Sequence, residues 1–178
     1  MSRLAAMLRC CLAGGCLAAA MAHADIGFRN FEDPDAVKWA EGEYSLPAYP
    51  DEGNLAEFYV SALATNRFFI DKASLSVGKD GVVRYVLVVK TSGGATNVTF
   101  EGIRCGYREY RLYAAGRADR TWAPSRTDQW RPIENKPVNR HHAALDRELF
   151  CPLGVAIFNA EEGLEALRLG RNPRAPER

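Results

Sequence analysis

The sequence predicts an α+β fold: an antiparallel β-meander of four to six strands, packed against a C-terminal helix and closed by one disulfide. Three observations carry this. Between Phe58 and Trp122, short stretches of alternating apolar and polar residues follow one another across turns too brief for parallel crossovers. Two later segments, 139–150 and 160–169, space their apolar residues at helical intervals, and such a sheet needs one face covered. Cys105 ends one predicted strand, and Cys151 lies just past the first of those helices.

The elements follow in order. Residues 25–53 are acidic and rich in turn formers, as in Glu32-Asp33-Pro34-Asp35 and Pro50-Asp51-Glu52-Gly53. They read as an extended arm, with Phe28, Phe31, Trp39 and Tyr44 available to pin it to a core. Residues 54–170 read as a single sheet-plus-helix domain. Its start is ambiguous: Leu55, Phe58, Tyr59, Ala62 and Leu63 fit a helical stripe, whereas Phe58-Tyr59-Val60 before Thr65-Asn66 fits a strand entering a hairpin. The strand is preferred.

Phe68-Phe69-Ile70-Asp71 reads as a strand that kinks near Ala73-Ser74 and continues through Leu75 and Val77. Lys79-Asp80-Gly81 supplies a tight turn. The strand from Val82 to Lys90 has the clearest pattern: Val83, Tyr85, Leu87 and Val89 share one face, and Arg84 and Lys90 fall on the other. The odd positions are therefore expected to be the buried ones. Ser92-Gly93-Gly94 turns the chain into a strand from Asn97 to Cys105. The next runs from Tyr107 to Ala115, and Thr121-Trp122 opens a short fifth. The helix over 139–150 presents Ala143, Leu145, Leu149 and Phe150 to the sheet. The last helix, Ala160 to Leu169, stops at Gly170, and 171–178 reads as a loose tail.

Residues 1–24 have the pattern of a secretory signal: Arg3 and Arg9, an apolar stretch from Cys10 to Met21, and Ala22-His23-Ala24 as a small-x-small cleavage site. The expected product begins at Asp25 in the periplasm. The competing reading is a lipoprotein signal with Cys16 lipidated, but Leu12 stands four residues before that cysteine, where three is usual. The formal charge of the 178-residue chain is +1, and loss of Arg3 and Arg9 leaves it close to neutral. That gives no electrostatic reason to expect nucleic acid as a partner. Beyond the signal, no apolar stretch is long enough to be a transmembrane segment.

From Phe69 to Cys151 the landmarks run Phe69-Ile70-Asp71, Phe100-Glu101-Gly102-Ile103-Arg104-Cys105, Glu109-Tyr110-Arg111, Trp122, Trp130-Arg131-Pro132-Ile133 and Leu149-Phe150-Cys151-Pro152. This order resembles the CNP1-like family, exported bacterial proteins with no assigned biochemical role. More remotely, the strand–Cys–strand–Trp–helix–Cys order is similar to surface-adhesin-E-like domains, small disulfide-closed antiparallel sheets that bind host proteins. These resemblances imply fold and compartment and transfer no binding residue.

Cys105 and Cys151 are the two cysteines left after residue 24, so one intramolecular bond is available between them. The alternative is a catalytic thiol with His142 as its base. His141-His142 with Asp146 and Glu148 is the one cluster that suggests metal or acid–base chemistry, and His142 and Asp146 fall one helical turn apart. Two ligands fall short of a zinc site, and no Gly-x-Ser-x-Gly elbow is present. The expectation is a solvated helix face, with no metal, cofactor or catalytic residue. Tyr107, Arg108, Tyr110, Arg111, Tyr113 and Arg117 interleave aromatic and basic side chains. They would serve a partner if they formed one exposed patch; otherwise they are core-facing tyrosines with snorkelling arginines.

Three functions stay open on this reading. The first is an exported, non-catalytic binding or envelope-support domain for an unknown envelope protein or ligand. The second is a cell-envelope hydrolase using His141 or His142 with Asp146. The third is a secreted adhesin-like module.

Overall fold

The chain divides into two units, Met1–Val37 and Lys38–Arg178, and the computed structural model describes residues 39–176. The expected signal, Phe28, Phe31 and Cys16 lie outside the described residues.

The strands are β1 (Leu55–Phe58), β2 (Arg67–Asp71), β3 (Ser76–Val77), β4 (Val82–Lys90), β5 (Thr96–Arg104), β6 (Glu109–Gly116), β7 (Trp122–Pro124) and β8 (Arg131–Pro132). All pair antiparallel in one sheet ordered β1-β2-β4-β5-β6-β7, with β3 on β4 and β8 on β6. The sheet thus has eight strands, more than the expected four to six, because two-residue pieces such as β3 and β8 carry no pattern of their own. The ambiguous 55–63 segment is a strand only through Phe58.

β2 and β3 are two pieces of one line along β4. Arg67 to Ile70 face Lys90 to Leu87, and Ser76 and Val77 face Arg84 and Val83. Ser74 fills the break: its hydroxyl donates to the Asp71 carbonyl at 2.8 Å and accepts from the Val86 N–H at 2.8 Å. A serine therefore satisfies the backbone donor that the interrupted strand leaves open. At the β3–β4 turn Gly81 has φ +77°, a conformation that disfavours a side chain.

The face of the sheet bearing Ile70, Val83, Tyr85, Leu87 and Ile103 is covered by the C-terminal segments. α1 (Arg140–Ala144) runs directly into a π-helical turn, Leu145–Phe150, and together they span the predicted 139–150 helix. α2 (Ala160–Leu169) matches its predicted limits. Gly163 lets it close on this core, since a Cβ there would sit 2.6 Å from Ile157 and 2.7 Å from Leu75.

The opposite face is also covered, which corrects the expected one-sided burial of β4. Val86 and Val88 are buried with Phe69, Phe100 and Tyr113 in a second core, and Arg84 is only 4 % exposed. Val89 is half-buried instead. The cover is residues 39–51, which run without regular secondary structure. Tyr44 packs on Phe100 and Tyr113, and Tyr49 on Trp122. Glu41 accepts from Tyr113 Oη at 2.5 Å and also pairs with Arg84 and Arg111. Trp39 donates to the Asp80 carbonyl at 3.0 Å. The valines at even positions of β4 were the sequence signal that both faces are buried.

The tail is likewise not loose as far as Pro176. Asn172 is fully buried and donates to the Leu149 carbonyl at 3.2 Å and to Glu162 at 2.9 Å. Arg174 pairs with Glu162 at 2.6 Å.

Candidate functional site

β5 carries an acidic residue, Glu101, at a position whose neighbours Thr99 and Ile103 share the helix-facing side of the sheet. Directly across the ladder stands Tyr85. Glu101 is 5 % exposed. The first turn of α1 lowers His142 onto it, with Nε2 2.8 Å from Glu101 Oε2. The Tyr85 hydroxyl lies 3.3 Å from the same oxygen, and Thr99 donates to Oε1 at 2.8 Å. Tyr110 stacks on the His142 ring at 3.8 Å, and His141 lies against it at 4.1 Å. Among the described residues, Nδ1 of His142 has no hydrogen-bond partner. An Nε2-protonated ring donating to Glu101 fits that arrangement.

The electrostatics follow from burial and pairing. Burial pushes the Glu101 carboxyl up, but His142, His141 and the Thr99 hydroxyl outweigh it, and the group ends below the usual carboxylate range. Burial beside that carboxylate drives the Tyr85 hydroxyl well above its ordinary value. Burial and His142 push the His141 ring down to about 4. Burial raises Asp146 against the opposing effect of Arg108.

This corrects the expected solvated helix face. His142 and Asp146 are each 3 % exposed. α1 is pinned so closely to the sheet that its polar residues turn inward and find internal partners. They do not converge, however. His142 goes to Glu101, while Asp146 accepts from Arg108 Nε at 3.1 Å, beyond the end of β5. Glu101 is the residue that sequence reasoning missed. Its signal was an acid on the apolar face of a strand, opposite Tyr85. Among the described residues no group of three or more His, Cys, Asp or Glu side chains is placed to hold a metal.

Cys105 and Cys151 are bonded, with Cα atoms 5.3 Å apart, and join the end of β5 to the end of the π-helical turn. Neither is a free thiol, so a nucleophilic Cys151 has no place in this structure. The aromatic and basic residues of 107–117 do not form one patch. Tyr113 is buried under Glu41, Tyr110 stacks on His142, Arg111 pairs with Glu41 and Arg108 with Asp146. Arg104 is enclosed instead, with Trp39, Tyr107 and Trp130 rings 4.3, 4.1 and 5.1 Å from its guanidinium carbon, and pairs with Glu109.

The landmarks on β5 and β6 and at the disulfide are those of a defined group, and the family model described as CNP1-like family matches residues 34–168. The chain belongs to the CNP1-like family. It is 27 % identical over 164 residues, covering 80 % of each chain, to a protein of Neisseria gonorrhoeae (strain ATCC 700825 / FA 1090) named Cryptic neisserial protein 1. No solved structure matches it significantly. Within this CNP1-like chain the family-like run Phe100-Glu101-Gly102-Ile103-Arg104-Cys105 supplies four structural fixtures in six residues. Phe100 faces the arm, Glu101 meets His142, Arg104 enters its aromatic enclosure and Cys105 forms the disulfide.

Proposed function

We propose that the chain is an exported, disulfide-stapled domain of the bacterial cell envelope that binds a ligand or partner and does not catalyse. The Cys105–Cys151 bond carries this reading, because disulfides form and persist in the periplasm and are rare in the cytosol. The basic start, apolar stretch and Ala22-His23-Ala24 at the beginning of the chain point the same way.

The binding half of the proposal rests on how the polar residues are spent. A general base must reach a substrate proton. His142 points its Nε2 at Glu101 inside the core, and Asp146 is engaged by Arg108, so the pair required by a hydrolase is not assembled. Among the described residues, no helix is long and apolar enough to cross a membrane.

Fractionation of a producing bacterium tests the proposal. The chain is expected in the fraction released by osmotic shock. Recovery with the cytoplasm would overturn export, and recovery with the membrane pellet would favour the lipid anchor at Cys16.

A further inference from the structure

At the end of the sheet where α1 begins, Phe68, Val89 and the His141 ring form the floor of a groove of about 510 Å³. Val60, Leu63 and Val138 also line it. A second hollow of about 450 Å³ adjoins it, sharing Val60, Ser61 and Arg140 and adding Tyr59, Arg147 and Glu148. Each is in the size range of small-ligand sites.

The rim of this cleft is unusually apolar for an exposed surface. Leu63 is 84 % exposed, Val138 78 % and Tyr59 65 %. Such a cluster costs solubility unless something covers it. The floor is apolar too: His141 stacks on Phe68 at 5.2 Å, and burial keeps its ring neutral at neutral pH.

Charge identifies what would cover it. Arg140 stands where the two hollows meet. Among the described residues its guanidinium makes no ion pair and has a long 3.4 Å hydrogen bond to the Ser61 hydroxyl. An apolar trough with an unpaired guanidinium at its end is complementary to an alkyl chain ending in one negative charge.

We propose that this cleft binds a long-chain carboxylate, with its alkyl chain on the Phe68–Val89 floor and its carboxylate on Arg140. The inference names a ligand for the binding reading above and does not depend on export, so fractionation and ligand titration fail separately.

The test is calorimetric titration of the purified chain with dodecanoate and, separately, with dodecyltrimethylammonium, both below their micelle concentrations. Saturable binding of dodecanoate at one site is expected, with the cationic amphiphile at least about tenfold weaker. Val138→Asp should weaken dodecanoate at least about tenfold. Its exposed position leaves the melting temperature unchanged. Arg140→Gln should abolish the preference for the anion while keeping the fold. Absence of saturable binding would overturn the proposal. So would equal binding of the two amphiphiles, or dodecanoate binding that neither substitution changes.

Discussion

His142 Nε2 lies 2.8 Å from Glu101 Oε2, and this contact joins the first turn of α1 to the middle of β5 inside the core. Both side chains are almost wholly withdrawn from water; His142 meets its partner in Glu101, whose carboxylate also engages Thr99 and Tyr85. Breaking such a buried pair costs far more than the pair itself contributes. Glu101→Gln and His142→Leu should each destabilise by about 3 kcal/mol in urea unfolding. The double variant should lose clearly less than the sum, since one interaction is removed twice. Additive losses would show that the contact is not energetically coupled.

The arm is the second dependency. Glu41 joins Arg84, Arg111 and Tyr113, all on the face that residues 39–51 cover. Glu41→Ala leaves the buried Arg84 and the half-buried Arg111 without this carboxylate, a loss of about 1–3 kcal/mol. Limited proteolysis should then cut within 39–51 much faster than in the parent. Unchanged protection there would mean that Tyr44 and Tyr49 hold the arm unaided.

Acid should weaken the fold in a defined window. The unfolded chain takes a proton on His141 near 6.5, whereas the folded chain resists until about 4. Between those values the unfolded state binds more protons, so stability falls as the pH drops. Linkage sets the maximum at about 3 kcal/mol. Glu101 and Asp80, both held below their ordinary values, add losses of the same sign at lower pH. Asp146, raised by burial, opposes them. His141→Phe, which keeps the ring on Phe68, should flatten the profile between pH 6.5 and 4. A profile that keeps its slope would place the titration elsewhere.

Much of the fold was legible in the sequence because period and punctuation agree there. Val82 to Lys90 carries apolar residues at every odd position and follows Asp80-Gly81, and α2 runs from the cap at Asn159, whose side chain accepts from the Glu162 N–H, to Gly170. The site was less legible because polar residues in this core gain their meaning only from long-range partners. Glu101 meets a histidine 41 positions away, and Glu41 a tyrosine 72 positions away. A local reading sees a charged residue and assigns it to solvent. Asn172 misled in the same way: in a stretch of Arg, Pro and Asn it looks like tail, yet it plugs the Leu149 carbonyl.

The disulfide closes a sequence separation of 46 residues, for which chain entropy gives about 4 kcal/mol. Cys105→Ser, Cys151→Ser and the double variant should lose similar stability, because a single bond is lost in each. Reductant should lower the melting temperature of the parent alone. A marked difference between the two single variants would point to a separate role for one thiol.

The most direct test of the account is the intact mass of the chain recovered, without reductant, from the periplasm of a producing bacterium. The account predicts a polypeptide that begins at Asp25 and lacks the two thiol hydrogens of Cys105 and Cys151. A chain that retains residues 1–24, carries a diacylglyceryl group on Cys16, or has both thiols free would contradict it.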